Sequence, residues 1–316
     1  MLIRMVCPAP PGSLYGNRVT ALRWAAILKS LGHRVIITND YQDERCDLLI
    51  ALHARKSAGA VLRFRARQPA SPLVVALTGT DVYHDLAHSR VAKKALEAAD
   101  RLVALQPLAA RELEPHLRRK VHVIYQSAEP TRNHRRKSRQ YFDVCVAAHI
   151  RPVKDPLRAA YAARLLPSDS RIRVLHAGHA VTAITSQKAL AEQSRNPRYR
   201  WLGPVSRSRT RRLIAQSRIL VLSSRIEGGA NVISEALVDG TPVLASRIPG
   251  SVGLLGEDYP GYFPVGDTHA LAKLLLRAEA DAAFYRRLKT HCARLARLFR
   301  PSEERRRWRS LLREIA

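Results

Sequence analysis

Cysteine is scarce in this chain. Its four copies, Cys7, Cys46, Cys145 and Cys292, lie far apart with no CxxC pair among 316 residues. That spacing argues against a disulfide framework or a thiolate zinc site and for reduced, buried thiols. Long hydrophobic runs are also missing: nothing approaches the roughly 18 apolar residues of a membrane-spanning helix. The opening MLIRMVCPAPPG has too short an apolar run for a secretory signal and reads as a first strand. With no export segment, the expected location is the cytoplasm, without stable membrane insertion. Acidic residues are in short supply, 26 against 54 basic ones, for a formal net charge of +28. No RNP-type aromatic pattern, zinc finger or dense basic-helix motif accompanies that charge. It fits a solvated arginine-rich surface as well as an anionic partner, and the charge alone does not choose between them.

What is present is a chain long enough for two domains. Its 46% hydrophobic content excludes a disordered polymer. Apolar strand-like runs at 2–9, 34–40, 47–54, 72–79, 101–106 and 121–126 alternate with helical stretches, the first over 18–31 and stopped by Gly32. Residues 129–140, EPTRNHRRKSRQ, are polar and strand-free and read as a linker. The pattern then restarts, with strand candidates at 142–149, 171–178, 198–203, 218–223 and 241–246. Strands alternating with helices predict two doubly wound α/β domains with ligand loops at the carboxyl ends of the strands, facing a cleft. The tail, 279–316, is helical and basic. Its stripe of Trp308, Leu311, Leu312 and Ile315 calls for a partner surface, best supplied by the first domain, with Pro301 breaking the helix near the crossing. The expected domains are 1–135 with 301–316, and 136–300.

The richest local signal runs from Ser223 to Leu237, SSRIEGGANVISEAL, followed by GTPVLAS at 240–246. A buried strand ends at Ser223, and a glycine loop opens into a helix near Asn231. Free N–H groups at a helix start, approached closely past Gly228 and Gly229, suit an anion. Glu227 and Glu235 are carboxylates able to accept hydrogen bonds from vicinal hydroxyls, one of a hexose and one of a ribose. A plain capped strand–turn–helix accounts for a lone EGG, though less well for the whole run.

This run, with Arg151-Pro-Val-Lys154-Asp155-Pro156 after the first strand of the second half, resembles the donor-site signature of the family 4 glycosyltransferases of GT-B fold. WLGPVSRSRTRRLIAQSRILVLSS (201–224) is similar to the elements that lead into that family's glutamate loop. The resemblance implies a GT-B fold whose C-terminal helix returns to an N-terminal acceptor-binding domain, with the nucleotide sugar held by the second domain. It implies that Arg151 and Lys154 grip the nucleotide diphosphate and stabilise the leaving group. Glu227 would bind donor sugar hydroxyls, assisted by Gly228, Gly229, Ala230 and Asn231, and Glu235 the ribose. No metal or other cofactor is expected, and a UDP-sugar would be the co-substrate.

The acceptor half is less regular. Gly16, Asn17 and Arg18 open the first helix as a small anion pocket, or form a turn with Asn17 as N-cap. His53 ends the third strand and is a candidate acid or ligand group, or an inert rim residue. Where many family members carry histidine before a glycine, this chain has Thr78, in LTGTD. Threonine cannot act as a base near neutral pH, so the acceptor needs no deprotonation, or Asp81 or His53 takes the role. PAPPGS, GNRVTALRWA, LIALHARKSA, PLVVALTGTDVY, RLVALQPLA and VIYQSA together resemble a bacterial subgroup, the selenosugar synthases of selenoneine biosynthesis. That resemblance implies transfer of N-acetylglucosamine or glucose from UDP to selenophosphate, with Gly16, Asn17, Arg18, His53, Thr78, Thr80 and Ser127 at the acceptor. Its partners would be UDP-N-acetylglucosamine, selenophosphate and enzymes of the same pathway, not nucleic acid. Direct attack by selenium would invert the anomeric centre, which family 4 members usually retain. The alternative is a family 4 enzyme that glycosylates a lipid or polysaccharide. That reading needs a basic amphipathic patch, which only 55–67 approaches.

Overall fold

The computed structural model describes residues 1–13, 15–132 and 137–315. They form two compact units, Met1–Gln126 with Glu227–Gly229 and Pro301–Ala316, and Ser127–Ile226 with Ala230–Arg300. The expected domain boundary, between 135 and 136, lies outside the described residues.

The first unit is built on a parallel sheet of β1 (Leu2–Val6), β2 (Arg34–Thr38), β3 (Leu48–Leu52), β4 (Leu73–Leu77), β5 (Arg101–Ala104) and β6 (Val121–Val123). Their spatial order is β2-β1-β3-β4-β5-β6. Helices α1 (Gly16–Ser30), α2 (Ala58–Arg67), α3 (Arg90–Ala98) and α4 (Pro115–Arg118) make the connections. The central strands LLIAL and LVVAL are buried at every position, as sheet strands covered on both faces must be. The first helix starts two residues earlier than predicted. The carbonyl of Tyr15 accepts from the N–H groups of Arg18 and Val19, so Tyr15 is the N-cap and Asn17 lies inside the helix.

The second unit repeats the plan with β7 (Phe142–Ala147), β8 (Ile172–Ala177), β9 (Tyr199–Trp201), β10 (Ile219–Leu222), β11 (Val243–Ser246) and β12 (Tyr262–Phe263). Helices α5 (Arg158–Ala163), α6 (Ala183–Arg195), α7 (Arg207–Gln216), α8 (Asn231–Val238), α9 (Pro249–Leu255), α10 (Thr268–Ala280) and α11 (Ala282–Ala296) surround the sheet strands. The order β12-β11-β10-β7-β8-β9, all parallel, is the 3-2-1-4-5-6 arrangement of a dinucleotide-binding sheet. Its crossover switches direction between β7 and β10, which opens a crevice at their carboxyl ends. Two-residue β12 went unpredicted because a strand that short shows no periodicity.

The basic tail is two helices, α11 and α12 (Pro301–Ile315), with Pro301 as the first residue of α12 where its missing N–H costs nothing. Trp308, Leu311 and Leu312 are buried in the first unit's core and Ile315 packs against it, as the stripe predicted. Trp308 meets Trp24 of α1 edge-to-face at 4.9 Å. Buried Glu304 accepts a 2.7 Å hydrogen bond from Trp24 Nε1 and pairs with Arg23 at 3.1 Å. Each large apolar side chain buried this way contributes about 1.5–3 kcal/mol. Among the described residues no helix is long and apolar enough to cross a membrane.

Candidate functional site

In the second unit two loops meet at the switch point. One follows β7 and carries Arg151 and Lys154; the other follows β10 and leads to α8. They are laced together: the Ser223 hydroxyl donates to the Asp155 carbonyl at 2.7 Å, and the Arg225 N–H to the Val153 carbonyl at 2.8 Å. Asp155 holds a left-handed backbone (φ 43°), and its carboxylate accepts from Arg158 Nε at 3.0 Å. It therefore braces the turn that displays Lys154. The Ser246 hydroxyl, at the end of β11, donates to the Ser224 carbonyl and secures the second loop from its other side.

Glu227 and Glu235 are both nearly buried. Asn231 is the first residue of α8, and Ala230, its N-cap, has no side chain able to cap it. Glu227–Gly229 are compact with the first unit. There a Cβ on Gly228 would stand 2.6 Å from Gly79 Cα and N, and one on Gly229 would stand 2.6 Å from Leu105 Cβ. Both glycines are thus demanded by close approach.

Two histidines that the sequence reading passed over flank the β7 loop. His149 Nδ1 accepts the His179 N–H at 3.1 Å, which fixes any proton of the neutral ring on Nε2. Burial lowers the His149 pKa, and His179, Lys154 and Arg151 add to the effect. Its signal was position alone, since each histidine stands just beyond a strand's carboxyl end.

In the first unit, His53, Thr78, Thr80 and Asp81 form one hydrogen-bonded cluster beyond β3 and β4. His53 is buried with φ 72°, a strained value for a residue other than glycine. Its Nδ1 accepts from the Lys56 N–H at 3.4 Å, and Nε2 faces Thr80 Oγ1 at 3.2 Å and Asp85 Oδ2 at 3.8 Å. Burial lowers the His53 pKa against the opposing pull of Asp81. Asp81 is fully buried, and its carboxylate accepts from the backbone N–H groups of Ala54, Thr78 and Gly79 at 2.7–3.1 Å. The carboxylate is taken up by backbone donors and so holds the loop in place. Asp85 was missed. It sits in a π-helical turn, Asp81–Asp85, that no sequence period announces, and it pairs with Arg55 at 3.2 Å.

Gly16, Asn17 and Arg18 open α1 at the same edge of the sheet. Burial pushes the Cys7 thiol up, while Arg18, hydrogen-bonded to it, pulls the other way. Arg18 is therefore held against the end of β1. Ser127 is buried and is the first residue of the second unit. Among the described residues no three His, Cys, Asp or Glu side chains are grouped to hold a metal ion.

Residues 128–294, just over half the chain, match the family model described as glycosyl transferases group 1. Solved structures share the architecture at low identity. HepE of Anabaena, in complex with UDP, is 15% identical over 99% of each chain, with a TM-score of 0.79. Sucrose-phosphate synthase of Thermosynechococcus elongatus is 16% identical over 99% of this chain and 98% of that one, with a TM-score of 0.79. A glycosyltransferase of Rickettsia africae ESF-5 is 15% identical over 99% and 98%, with a TM-score of 0.71. The twin six-stranded parallel sheets, the glutamate loop at a switch point and the family match lead to one conclusion: this chain is a glycosyltransferase of group 1, built on the two-domain Rossmann-like GT-B fold.

Proposed function

We propose that the protein transfers a sugar, N-acetylglucosamine or glucose, from UDP to selenophosphate and so forms a carbon–selenium bond. The observation that carries the donor half is the lacing of the Arg151–Lys154 loop to the Ser223–Asn231 loop at the β7/β10 switch point. Two cations on one loop and hydroxyl-binding carboxylates beyond the other suit a nucleoside diphosphate sugar. A UDP complex of HepE, which has the same fold, agrees with that donor. Arg151 and Lys154 neutralise the diphosphate, Glu227 orients the sugar with amides of Gly228, Gly229, Ala230 and Asn231, and Glu235 takes the ribose.

The acceptor half rests on what the first unit offers around His53. Thr78 cannot take a proton, Asp81 is held by three backbone donors, and burial, by lowering the His53 pKa, weakens that ring as a base. A hydroxyl acceptor would need a base, whereas an ionised selenium nucleophile needs none. Selenium attacks the anomeric carbon, the C–O bond to the β-phosphate breaks, and the electron pair departs with UDP. No proton moves. Gly16, Asn17, Arg18, Thr80 and Ser127 complete the proposed acceptor contacts. A membrane-bound lipid acceptor gains no support from 55–67. The apolar side of α2 (Ala58, Ala60, Val61, Phe64) is buried in the core, and Arg63, Arg65 and Arg67 pair with Asp40, Asp100 and Asp43.

Purified protein is incubated with UDP-N-acetylglucosamine and selenophosphate, with UDP release followed and products resolved by mass spectrometry. Selenophosphate-dependent UDP release with a selenium-bearing sugar is expected. Turnover on a lipid acceptor and none on selenophosphate overturns the proposal.

A further inference from the structure

We propose that Arg207 positions Glu235 at the ribose end of the donor site, as the functional half of a paired charge ladder between α7 and α8. The inference rests on the donor reading of Glu235 given above. Arg207 Nη2 stands 3.5 Å from Glu235 Oε1, and Arg211 Nη2 stands 3.0 Å from Asp239 Oδ2. The partners are four residues apart on each helix. Both helices return from the carboxyl edge of a parallel sheet, so they run in the same sense, and one turn separates the two ion pairs.

The two pairs are not equivalent. Arg211 and Asp239 are 12% and 1% exposed, and the pair is tied in further: Asp239 accepts from the N–H and hydroxyl of Thr131 at 2.7 and 2.9 Å, and Arg211 donates to the Glu129 carbonyl at 2.7 Å. It locks the register of α7 on α8. That register carries Arg207, the first residue of α7, to Glu235 in the second turn of α8. Here the arginine is half exposed while the carboxylate is 9% exposed. The buried thiol of Cys145 on β7 also feels Glu235, whose negative charge adds to burial in pushing that thiol up. The guanidinium fixes the direction in which the carboxylate presents its oxygens. A carboxylate so oriented accepts from both hydroxyls of a vicinal diol. Arg207 thus acts through Glu235, preparing it for the ribose.

The test is calorimetric titration of UDP into the full chain, for wild type, Arg207→Ala, Arg207→Lys, Glu235→Ala and the double variant Arg207→Ala/Glu235→Ala. Arg207→Ala is expected to weaken UDP about tenfold, with Arg207→Lys recovering part of the loss through its charge. The double variant is expected to bind no worse than Glu235→Ala alone. The melting temperature of Arg207→Ala should equal that of wild type, because the pair is half exposed. Wild-type UDP affinity in Arg207→Ala, with a loss in Glu235→Ala, overturns the positioning role and leaves the donor site standing. Additive losses in the double variant also overturn it, since Arg207 would then act independently. Unchanged affinity in Glu235→Ala overturns the donor reading itself, and the proposal with it.

Discussion

Acid should destabilise the second unit through His176, a residue buried within β8. Its ring is fully buried, with Nε2 2.8 Å from the Ala148 carbonyl and Nδ1 2.8 Å from Tyr199 Oη. A carbonyl only accepts, so Nε2 carries the proton and Nδ1 accepts from the tyrosine hydroxyl. Both nitrogens are satisfied by the neutral ring, and a second proton would bring a charge into the core. Burial therefore lowers the pKa from 6.5 to about 4, with the Ala148 bond opposing part of the shift. The unfolded chain takes up its proton near 6.5 and the folded one holds out to about 4. Between those values the unfolded state binds more protons, so stability falls as the pH drops. The full shift corresponds to about 3 kcal/mol, of which about 2 kcal/mol is lost between pH 7.5 and 5.0. The assay is urea unfolding across that range, followed by the fluorescence of Trp201 on β9, for wild type and His176→Gln. The glutamine amide still donates to Ala148 but does not titrate. It should be less stable at pH 7.5, yet lose about 2 kcal/mol less than wild type on going to pH 5.0. Parallel curves, or a His176 imidazole resonance that titrates near 6.5, would refute the reasoning.

Three further outcomes follow from the packing. Glu304→Ala should cost the first unit about 3–5 kcal/mol, because Arg23 and Trp24 Nε1 lose a buried acceptor. Glu304→Gln should cost less, and urea midpoints measure both. Gly228→Ala places a Cβ 2.6 Å from the Gly79 backbone, where neither chain can yield without moving the glutamate loop. Turnover should fall about 100-fold, in proportion to a loop displacement of about 1 Å, with the far-ultraviolet spectrum unchanged; wild-type kinetics would show the loop tolerates the shift. Asp81→Asn removes half the acceptor capacity that serves Ala54, Thr78 and Gly79. Their amide hydrogen exchange should accelerate about 10- to 100-fold, as loss of about 1–3 kcal/mol of local stability implies.

Most of the fold is legible in the sequence because central parallel strands are apolar throughout. LLIAL and LVVAL are continuous runs, and such runs separated by helical periods admit little besides a doubly wound sheet. Short elements carried too little signal: β6 and β9 proved to be three residues where six were expected. At α1 the preference of asparagine for N-caps suggested Asn17, yet the carbonyl of Tyr15 starts the helix two residues sooner. The site divides in the same way. The glutamate loop is contiguous in sequence, so its glycines and carboxylates could be seen together. Arg207 and Glu235 are 28 residues apart, and only the parallel return of α7 and α8 makes them neighbours. His149 and His179 meet solely because β7 and β8 end side by side.

The excess of arginine also acquires a physical reading. With 26 acidic residues for 54 basic ones, carboxylates cannot partner every cation. Many guanidinium groups turn to main-chain carbonyls. Arg65 donates to Ala98 and Pro69, Arg198 to Pro167 and Ser168, Arg118 to Leu113, and Arg218 to Ser138. These oxygens lie at the ends of strands and helices, where the backbone ladder runs out and acceptors are left over. A guanidinium can bridge several of them at fixed angles with its five donors, whereas an ammonium offers a point charge on a flexible stem. Arginine therefore closes element ends in this chain while keeping its charge. The resulting positive field attracts anions of every kind, including both proposed substrates, without selecting among them. In the function proposed here, selection falls to geometry at the β7/β10 switch point and around His53, where Asp155 is held by Arg158 and Asp81 by backbone donors.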